Sequence, residues 1–338
     1  MQAIKKTLAE NLTGGNLFSP KGGKFTLEQV PDLTGKVAVV TGGSSGIGFG
    51  VAHTFLSKNI SKVFIISDTK EVMDNATEAV KKELGNDMAS KMKWLQCDLA
   101  DWKAAAETAN KVSKDTDRLD ILVNNAGRGI MTFQLANGID RHLALNHMGH
   151  VVLTSHLLPL LKKTASNGNT VRITNQASNA HEMTPSDCKF RPEELTKDLG
   201  PNPTYGRSKL AAILYSRYLN RHLTSAHPNI LINATHPGVV HTKMSTEDIL
   251  EPYPILGYGM KYLMAPIKKD QFEGALTTLY AATVTEKSGE YVCPPANIEE
   301  GSELSRDDAL GEQLMKVTRE TVMEKTRADV EGCPFRDY

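Results

Sequence analysis

Val37-Ala38-Val39-Val40-Thr41-Gly42-Gly43-Ser44-Ser45-Gly46-Ile47-Gly48 decides the fold of this 338-residue chain. Three valines and an alanine make a short apolar strand, and Gly42, Gly46 and Gly48 then turn the backbone into a helix predicted over 47–58. Only a hydrogen side chain lets the main chain bend so tightly and approach a pyrophosphate. The amino end of the helix offers free N–H groups and the positive end of its dipole to phosphate oxygens. Ser44 and Ile47 belong to the same candidate phosphate turn. A glycine triplet by itself also fits a plain tight turn. Its position between Val37–Val40 and Val51–Leu56 carries the nucleotide reading.

Downstream, apolar runs recur at Val63–Ile66, Met92–Leu95, Ile121–Val123, Val171–Ile173, Ile230–Ala234 and Tyr291–Cys293. Helical patterns separate them near 70–84, 101–116, 139–163, 204–224 and 271–283. Short β-branched strands alternating with helices predict a parallel sheet covered on both faces. With right-handed crossovers this is an α/β, doubly wound, Rossmann-like sheet of about seven strands in a single domain. The expected organisation is an N-terminal arm over 1–34, a catalytic domain over 35–295 and a C-terminal extension over 296–338 with a helix near 307–325. Two segments interrupt the alternation. Residues 179–203 contain Pro185, Pro192, Pro201 and Pro203, and residues 243–270 are rich in aromatics, Met and Pro. Both follow strand carboxyl ends, where such sheets bind ligands. The second is read as a substrate lid, with a packing insertion or oligomer contact as the alternative.

Composition excludes several classes. The chain is 40% hydrophobic and 23% charged, and Lys plus Arg equals Asp plus Glu at 39 each. No global basic field favours nucleic acid or an anionic membrane. Cys97, Cys188, Cys293 and Cys333 are scattered without metal-ligand spacing, so a reduced intracellular protein without metal is expected. No apolar run reaches the roughly 20 residues of a membrane span. The first residues lack the apolar core of a secretory signal, which makes the cytosol the expected location.

The second informative stretch is Tyr205-Gly206-Arg207-Ser208-Lys209. On a helix, residues four apart share a face. Lys209 is thereby expected to lower the pKa of the Tyr205 phenol, which is ordinarily near roughly 10 and too high for a base at neutral pH. Asp68, ending the second strand, is suited to accept from ribose hydroxyls and to repel a 2′-phosphate, which favours NAD over NADP. Neighbouring Lys70 weakens that reading, and Asp68 is equally suited to capping the helix from 70. Asp98-Leu99 ends the third strand, placed to meet adenine, with capping of the helix near Asp101 as the alternative. Asn124-Asn125-Ala126-Gly127 ends the fourth strand, with small residues for close approach and amides to tie strands together. His142, His147, His150, His236 and His241 lack accompanying acids or thiols in metal-binding spacing. His181 is read either as a substrate contact or as a loop residue.

Together these motifs, in this order, resemble the short-chain dehydrogenase/reductase family over roughly residues 30–295, most closely its retinol-dehydrogenase-like branch. The resemblance implies a catalytic tetrad of Asn146, Ser178, Tyr205 and Lys209. It implies cofactor contacts at Gly42, Gly46, Ile47, Gly48, Asp98, Asn125, Ala126 and Gly127, and along Pro237, Gly238, Val240 and Thr242. Tyr205 would exchange the proton, Ser178 would hold the substrate oxygen, and Asn146 would hold a water leading from Lys209. Departures are Ala177 for a common serine, a longer interval from Ser178 to Tyr205, and Arg128, which puts a cation near the expected substrate mouth. The implied activity is NAD(P)-dependent interconversion of a fairly bulky secondary alcohol and a ketone, NAD preferred, in a homodimer or homotetramer paired through the helices bearing Asn146 and Tyr205. The alternatives are an NADPH-dependent biosynthetic ketoreductase and a non-catalytic dinucleotide sensor.

Overall fold

The computed structural model describes residues 25–129, 132–238, 240 and 270–326. The expected arm before residue 25, the 243–269 part of the lid, Thr242 and the tail beyond 326 lie outside the described residues.

Strand β1 (Val37–Thr41) is buried on both sides, as its unbroken apolar run requires. It pairs in parallel with β2 (Lys62–Ser67) on one edge and with β4 (Ile121–Asn124) on the other. Outside β2 lies β3 (Met92–Gln96). Outside β4 follow β5 (Val171–Gln176), β6 (Ile230–Thr235) and β7 (Tyr291–Cys293), all parallel. Strand order therefore reverses direction between β1 and β4. Their carboxyl ends splay apart there and open a crevice.

Helices α1 (Gly46–Ser57), α2 (Lys70–Leu84) and α6 (Gln271–Thr283) cover one face of the sheet. Helices α3 (Trp102–Asp115), α4 (Gly149–Ser166), α5 (Pro201–Leu223) and α7 (Asp308–Thr326) cover the other. Strand periodicity sorts the side chains between these layers. Ala38, Val40, Val63 and Ile65 enter one core, while Val37, Val39, Phe64 and Ile66 enter the other.

The sheet has eight strands where about seven are expected. The eighth, β8 (Asn297–Glu299), returns antiparallel along β7 at the outer edge. Its only apolar residue, Ile298, is exposed, so no hydrophobic alternation marks it. The helix expected near 139–163 begins at Arg141, and a wide turn with i to i+5 geometry over Ala144–Met148 leads directly into α4. The loop expected to reach residue 203 ends at Gly200, because α5 starts at Pro201. Proline is tolerated in a first helical turn, where its missing N–H has no partner to lose.

Helix α7 lies across α5, with Gly311 over Leu214 and Arg221. Its Leu310, Leu314, Met315, Val317 and Val322 join the larger core.

A buried ion pair between Asp140, ahead of α4, and Arg207 of α5 backs the long loop after β5 and holds its carbonyls. Asp140, with no solvent exposure, accepts from the His142 backbone N–H at 3.1 Å and meets the His142 ring Nδ1 at 3.0 Å. Arg207 donates to Asp140 at 3.4 Å and to the carbonyls of Glu194 at 2.7 Å and Lys197 at 3.3 Å. Removing one partner leaves an uncompensated buried charge, which costs about 3–5 kcal/mol. Arg207→Leu should therefore lower the urea unfolding free energy by about that amount and open the 184–200 loop to limited proteolysis. A loss below about 1 kcal/mol with unchanged proteolysis would show that this pair does not hold the loop.

Candidate functional site

The crevice between β1 and β4 is a cleft of about 350 Å³. Gly42, Ser44, Asp68, Asp98, Leu99, Ala126 and Gly127 all line it, drawn from the ends of four successive strands. Gly42 and Gly46 take positive φ, +64° and +53°, which disfavours any other residue. Gly48 has a different function. A Cβ there would strike the Gly42 carbonyl and lie 2.5 Å from Asn125 Nδ2, so this glycine sets how closely α1 approaches the turn and the end of β4. Ile47 turns its side chain into the core, and only its backbone belongs to the helix amino end.

The floor of the cleft hangs on Thr41. Its hydroxyl accepts from the Asn125 N–H at 2.8 Å and the Ala126 N–H at 2.9 Å. Asn125 Nδ2 donates to the Thr41 carbonyl at 2.9 Å. One residue earlier, Asn124 Nδ2 bonds Thr154 Oγ1 and Asn175 Oδ1, both at 2.9 Å, tying β4 to α4 and β5.

At the end of the cleft formed by β2 and β3, Asp68 is exposed and its Oδ1 accepts from the Thr69 hydroxyl at 2.9 Å. The residue at the α2 N-cap position is Thr69, so Asp68 does not cap that helix. Lys70 is paired with Asp74 at 2.6 Å along the exposed side of α2. Asp98 accepts from the Ala100 N–H at 2.8 Å and stands 3.6 Å from Arg141, while Asp101 caps α3. Arg128, expected near a substrate mouth, lines this same cleft. The direct continuation of the chain from Gly127 explains the difference.

At the other end, residues 127–129 run beside α5. A Cβ on Gly127 would lie 3.2 Å from Lys209 Nζ and 3.3 Å from Asn146 Oδ1. One on Gly129 would lie 3.8 Å from the Tyr205 ring. Three tetrad positions thus meet at a glycine-bracketed segment that continues the cleft floor. Asn146 locks it: Oδ1 accepts from the Arg128 N–H at 2.9 Å, while Nδ2 donates to the Arg128 carbonyl at 3.1 Å and to Ser208 Oγ at 3.0 Å. The wide turn at Ala144–Met148 carries Asn146.

Ser178 lies two residues beyond β5 and its Oγ accepts from the Ala180 N–H at 3.1 Å. The turn that follows presses against α5, since a Cβ on Gly206 would sit 2.6 Å from the Ala180 carbonyl. Glycine beside Tyr205 therefore brings the Ser178 turn up to the tyrosine helix. His236 joins this turn to the Pro237-Gly238 bend: its Nδ1 accepts from the Asn179 N–H at 3.3 Å and the Gly238 N–H at 3.4 Å. Gly238 has φ +82°, and Val240 packs directly on Gly274 of α6.

His181 is a loop residue. Ser302 N–H donates to its Nε2 at 3.1 Å, which leaves Nδ1–H to donate to the Ser178 carbonyl at 2.7 Å. Both ring nitrogens serve the backbone.

Lys209 Nζ lies 5.5 Å from the Tyr205 ring centre and donates to the Gln176 carbonyl at 3.1 Å. Burial pushes the Lys209 ammonium down to about 8. Against expectation, the Tyr205 phenol is not lowered. The surrounding protein pushes it up, because withdrawing water penalises the phenolate more than this ammonium favours it. Partial exposure of the residue tempers that push. Sequence spacing locates the pair but carries no information about desolvation. Thr41, His236 and Arg207 were also missed as parts of the site, and only the position of Thr41 beside the first glycine offered a signal.

The short chain dehydrogenase profile matches residues 36–186. The mitochondrial protein bli-4 of Neurospora crassa, named as an oxidoreductase, is 51% identical over 346 aligned positions, covering 100% of this chain and 84% of bli-4. Human polyprenol dehydrogenase is 29% identical over 268 positions, 79% of this chain and 78% of that protein. Among solved structures, Pseudomonas aeruginosa RhlG in complex with NADP superposes with a TM-score of 0.61 at 25% identity, covering 78% of this chain and 96% of that one. The expected cytosolic location is overturned: bli-4 is mitochondrial, and a 31% identical relative from Brassica napus is chloroplastic. Among the described residues no helix is long and apolar enough to cross a membrane. With a relative of 51% identity covered over most of its length, the chain belongs to the short-chain dehydrogenase/reductase family and is an NAD(P)-dependent oxidoreductase of it.

Proposed function

We propose that this oxidoreductase interconverts a secondary alcohol and a ketone, with Tyr205 as the proton-transferring group and NAD as the preferred dinucleotide. The observation that carries the reading is the meeting of Lys209 Nζ, Asn146 Oδ1 and the Tyr205 ring around residues 127–129, which extend the floor of the 350 Å³ cleft. Its glycines, helix amino end and terminal Asp98 suit a dinucleotide, which supplies a hydride acceptor or donor when bound. Similarity to a polyprenol dehydrogenase supports an alcohol as substrate.

The residues have distinct tasks. Tyr205 Oη takes the alcohol proton during oxidation and returns it during reduction. Burial raises the phenol, so positive charge is needed to favour its ionised form, and the Lys209 ammonium contributes part of it. Ser178 Oγ donates to the substrate oxygen as charge shifts there. Asn146 fixes Arg128 and Ser208, which keeps the tyrosine helix in register with the cleft floor.

NAD preference rests on Asp68, whose carboxylate is exposed in the cleft lining and disfavours a 2′-phosphate. The pairing of Lys70 with Asp74 supports the same reading. The NADPH-dependent ketoreductase alternative draws on Arg128 in the cleft and on the NADP complex of RhlG.

Tyr205→Phe should lower turnover by about 10²–10⁴-fold, the usual contribution of a positioned acid–base group, with dinucleotide affinity retained. Near-normal turnover would remove Tyr205 from the mechanism, and dinucleotide binding without turnover across an alcohol and ketone panel would favour a sensor. Steady-state rates with NADH and NADPH should favour NADH, and Asp68→Ser should shift that ratio toward NADPH by about tenfold, equivalent to roughly 1.4 kcal/mol. An unchanged ratio would leave Asp68 without a selective function. Alcohol oxidation should accelerate with rising pH as Tyr205 ionises. In Lys209→Met, loss of the cation should move that rise to higher pH; a profile superimposable on wild type would exclude Lys209 from tuning the phenol.

A further inference from the structure

A buried chain of hydrogen bonds joins the cleft floor to the turn that carries Asn146, and its middle member is His150. The imidazole Nδ1 lies 3.1 Å from the Asn146 backbone carbonyl, and Nε2 lies 2.9 Å from Thr41 Oγ1. His150 is 4% exposed and Thr41 fully buried. A carbonyl can only accept, so Nδ1 carries the hydrogen and Nε2 is a bare acceptor. The Thr41 hydroxyl must then donate to Nε2. That leaves its lone pairs for the Asn125 and Ala126 N–H groups, which they receive at 2.8 and 2.9 Å. The other acceptor within reach of Thr41, the Val123 carbonyl, is 3.4 Å away. Donors and acceptors along this chain are matched in one direction only.

We infer that His150 is a positioning residue. As the Nδ1–H tautomer it orients the Thr41 hydroxyl and so holds the Asn125–Ala126 floor in register with the Asn146 turn. The inference rests on that floor receiving a dinucleotide. Burial pushes His150 down to about 4, with the Lys209 ammonium adding to the effect, so the ring is neutral under ordinary conditions. Its other ionisable neighbour, His147, is pushed down to about 3 and is neutral too. A second proton on Nε2 would turn that atom into a donor facing the Thr41 hydroxyl and break the sequence of donors.

Direct fluorescence titration with NADH and with NADPH tests the inference. His150→Phe removes both ring hydrogen bonds and should weaken binding by roughly three- to tenfold, the range expected of a single buried hydrogen bond. His150→Gln places an amide oxygen near the Nε2 position and should bind within about twofold of wild type. Thr41→Val should resemble His150→Phe, and combining the two should add little, because both act through one hydroxyl. Folded His150→Phe protein with wild-type affinity, or losses that multiply in the double variant, would overturn the inference. A residue of merely structural importance would lower the unfolding midpoint without moving affinity. If His150→Phe does not fold, ¹⁵N spectra of histidine-labelled wild-type protein decide: a bare Nε2 and protonated Nδ1 from pH 5.5 to 8 supports the inference, and the opposite tautomer overturns it. Wild-type protein that binds neither nucleotide would instead refute the dinucleotide site, while the tautomer still reports on His150.

Discussion

Everything at this site depends on how closely three backbones approach one another where β1 ends. Gly48 of α1 lies against the Gly42 carbonyl and the Asn125 amide, with no room for a methyl group on either side. Because interiors transmit strain instead of absorbing it, a side chain there would push α1 away from the sheet. The shift would reach Asn125, which is bonded to Thr41 through both main chain and side chain. The same displacement would pass along the cleft floor to Gly127, where Lys209 and Asn146 converge. Glycine turn, cleft floor and the Lys209–Asn146 cluster are thus one mechanical unit, held at an inter-backbone distance that only glycine permits.

Within that unit, desolvation works against the chemistry proposed for it. Enclosing Tyr205 and Lys209 favours the neutral form of each, raising the phenol and lowering the ammonium to about 8. A lysine four residues on does not by itself make a tyrosine acidic. The pair is placed so that added positive charge beside the ring acts in a medium that screens it weakly. Anchoring Nζ on the Gln176 carbonyl keeps the ammonium in place, at the cost of sharing its hydrogens with the protein.

How much of this was legible in the sequence follows from which signals are local. Strand periodicity places seven strands and most helices, because burial on both faces demands continuous apolar runs. Glycines marked the turn because their conformational requirement is confined to one residue. The eighth strand escaped because an exposed edge strand of three residues needs no hydrophobic face. The wide turn at Asn146 escaped because its cause is tertiary: the Asn146 side chain is committed to residues 128 and 208, far along the chain. Nothing local to Arg207 announces its pairing, since its partner Asp140 lies 67 residues away. His181 and His236 were ambiguous for the same reason, as a ring that bonds distant backbone groups leaves no pattern in its neighbours.

The C-terminal segment shows that the limits of a family resemblance are not the limits of the folded unit. The resemblance ends near residue 295, yet the residues that follow reach back into three parts of the site. Ser302 holds His181 behind Ser178, Gln313 accepts from the Phe190 N–H in the long loop, and Thr318 bonds His147, next to Asn146. Each contact fixes a different element: the serine turn, the loop anchored by Arg207, and the turn that carries Asn146. Helix α7 also buries apolar residues against α5, the helix that bears Tyr205 and through which pairing with a second copy was expected. Any such pairing would have to include α7 as part of the contact or displace it from the core. The extension therefore bears on both the rigidity of the site and the surface available for self-association.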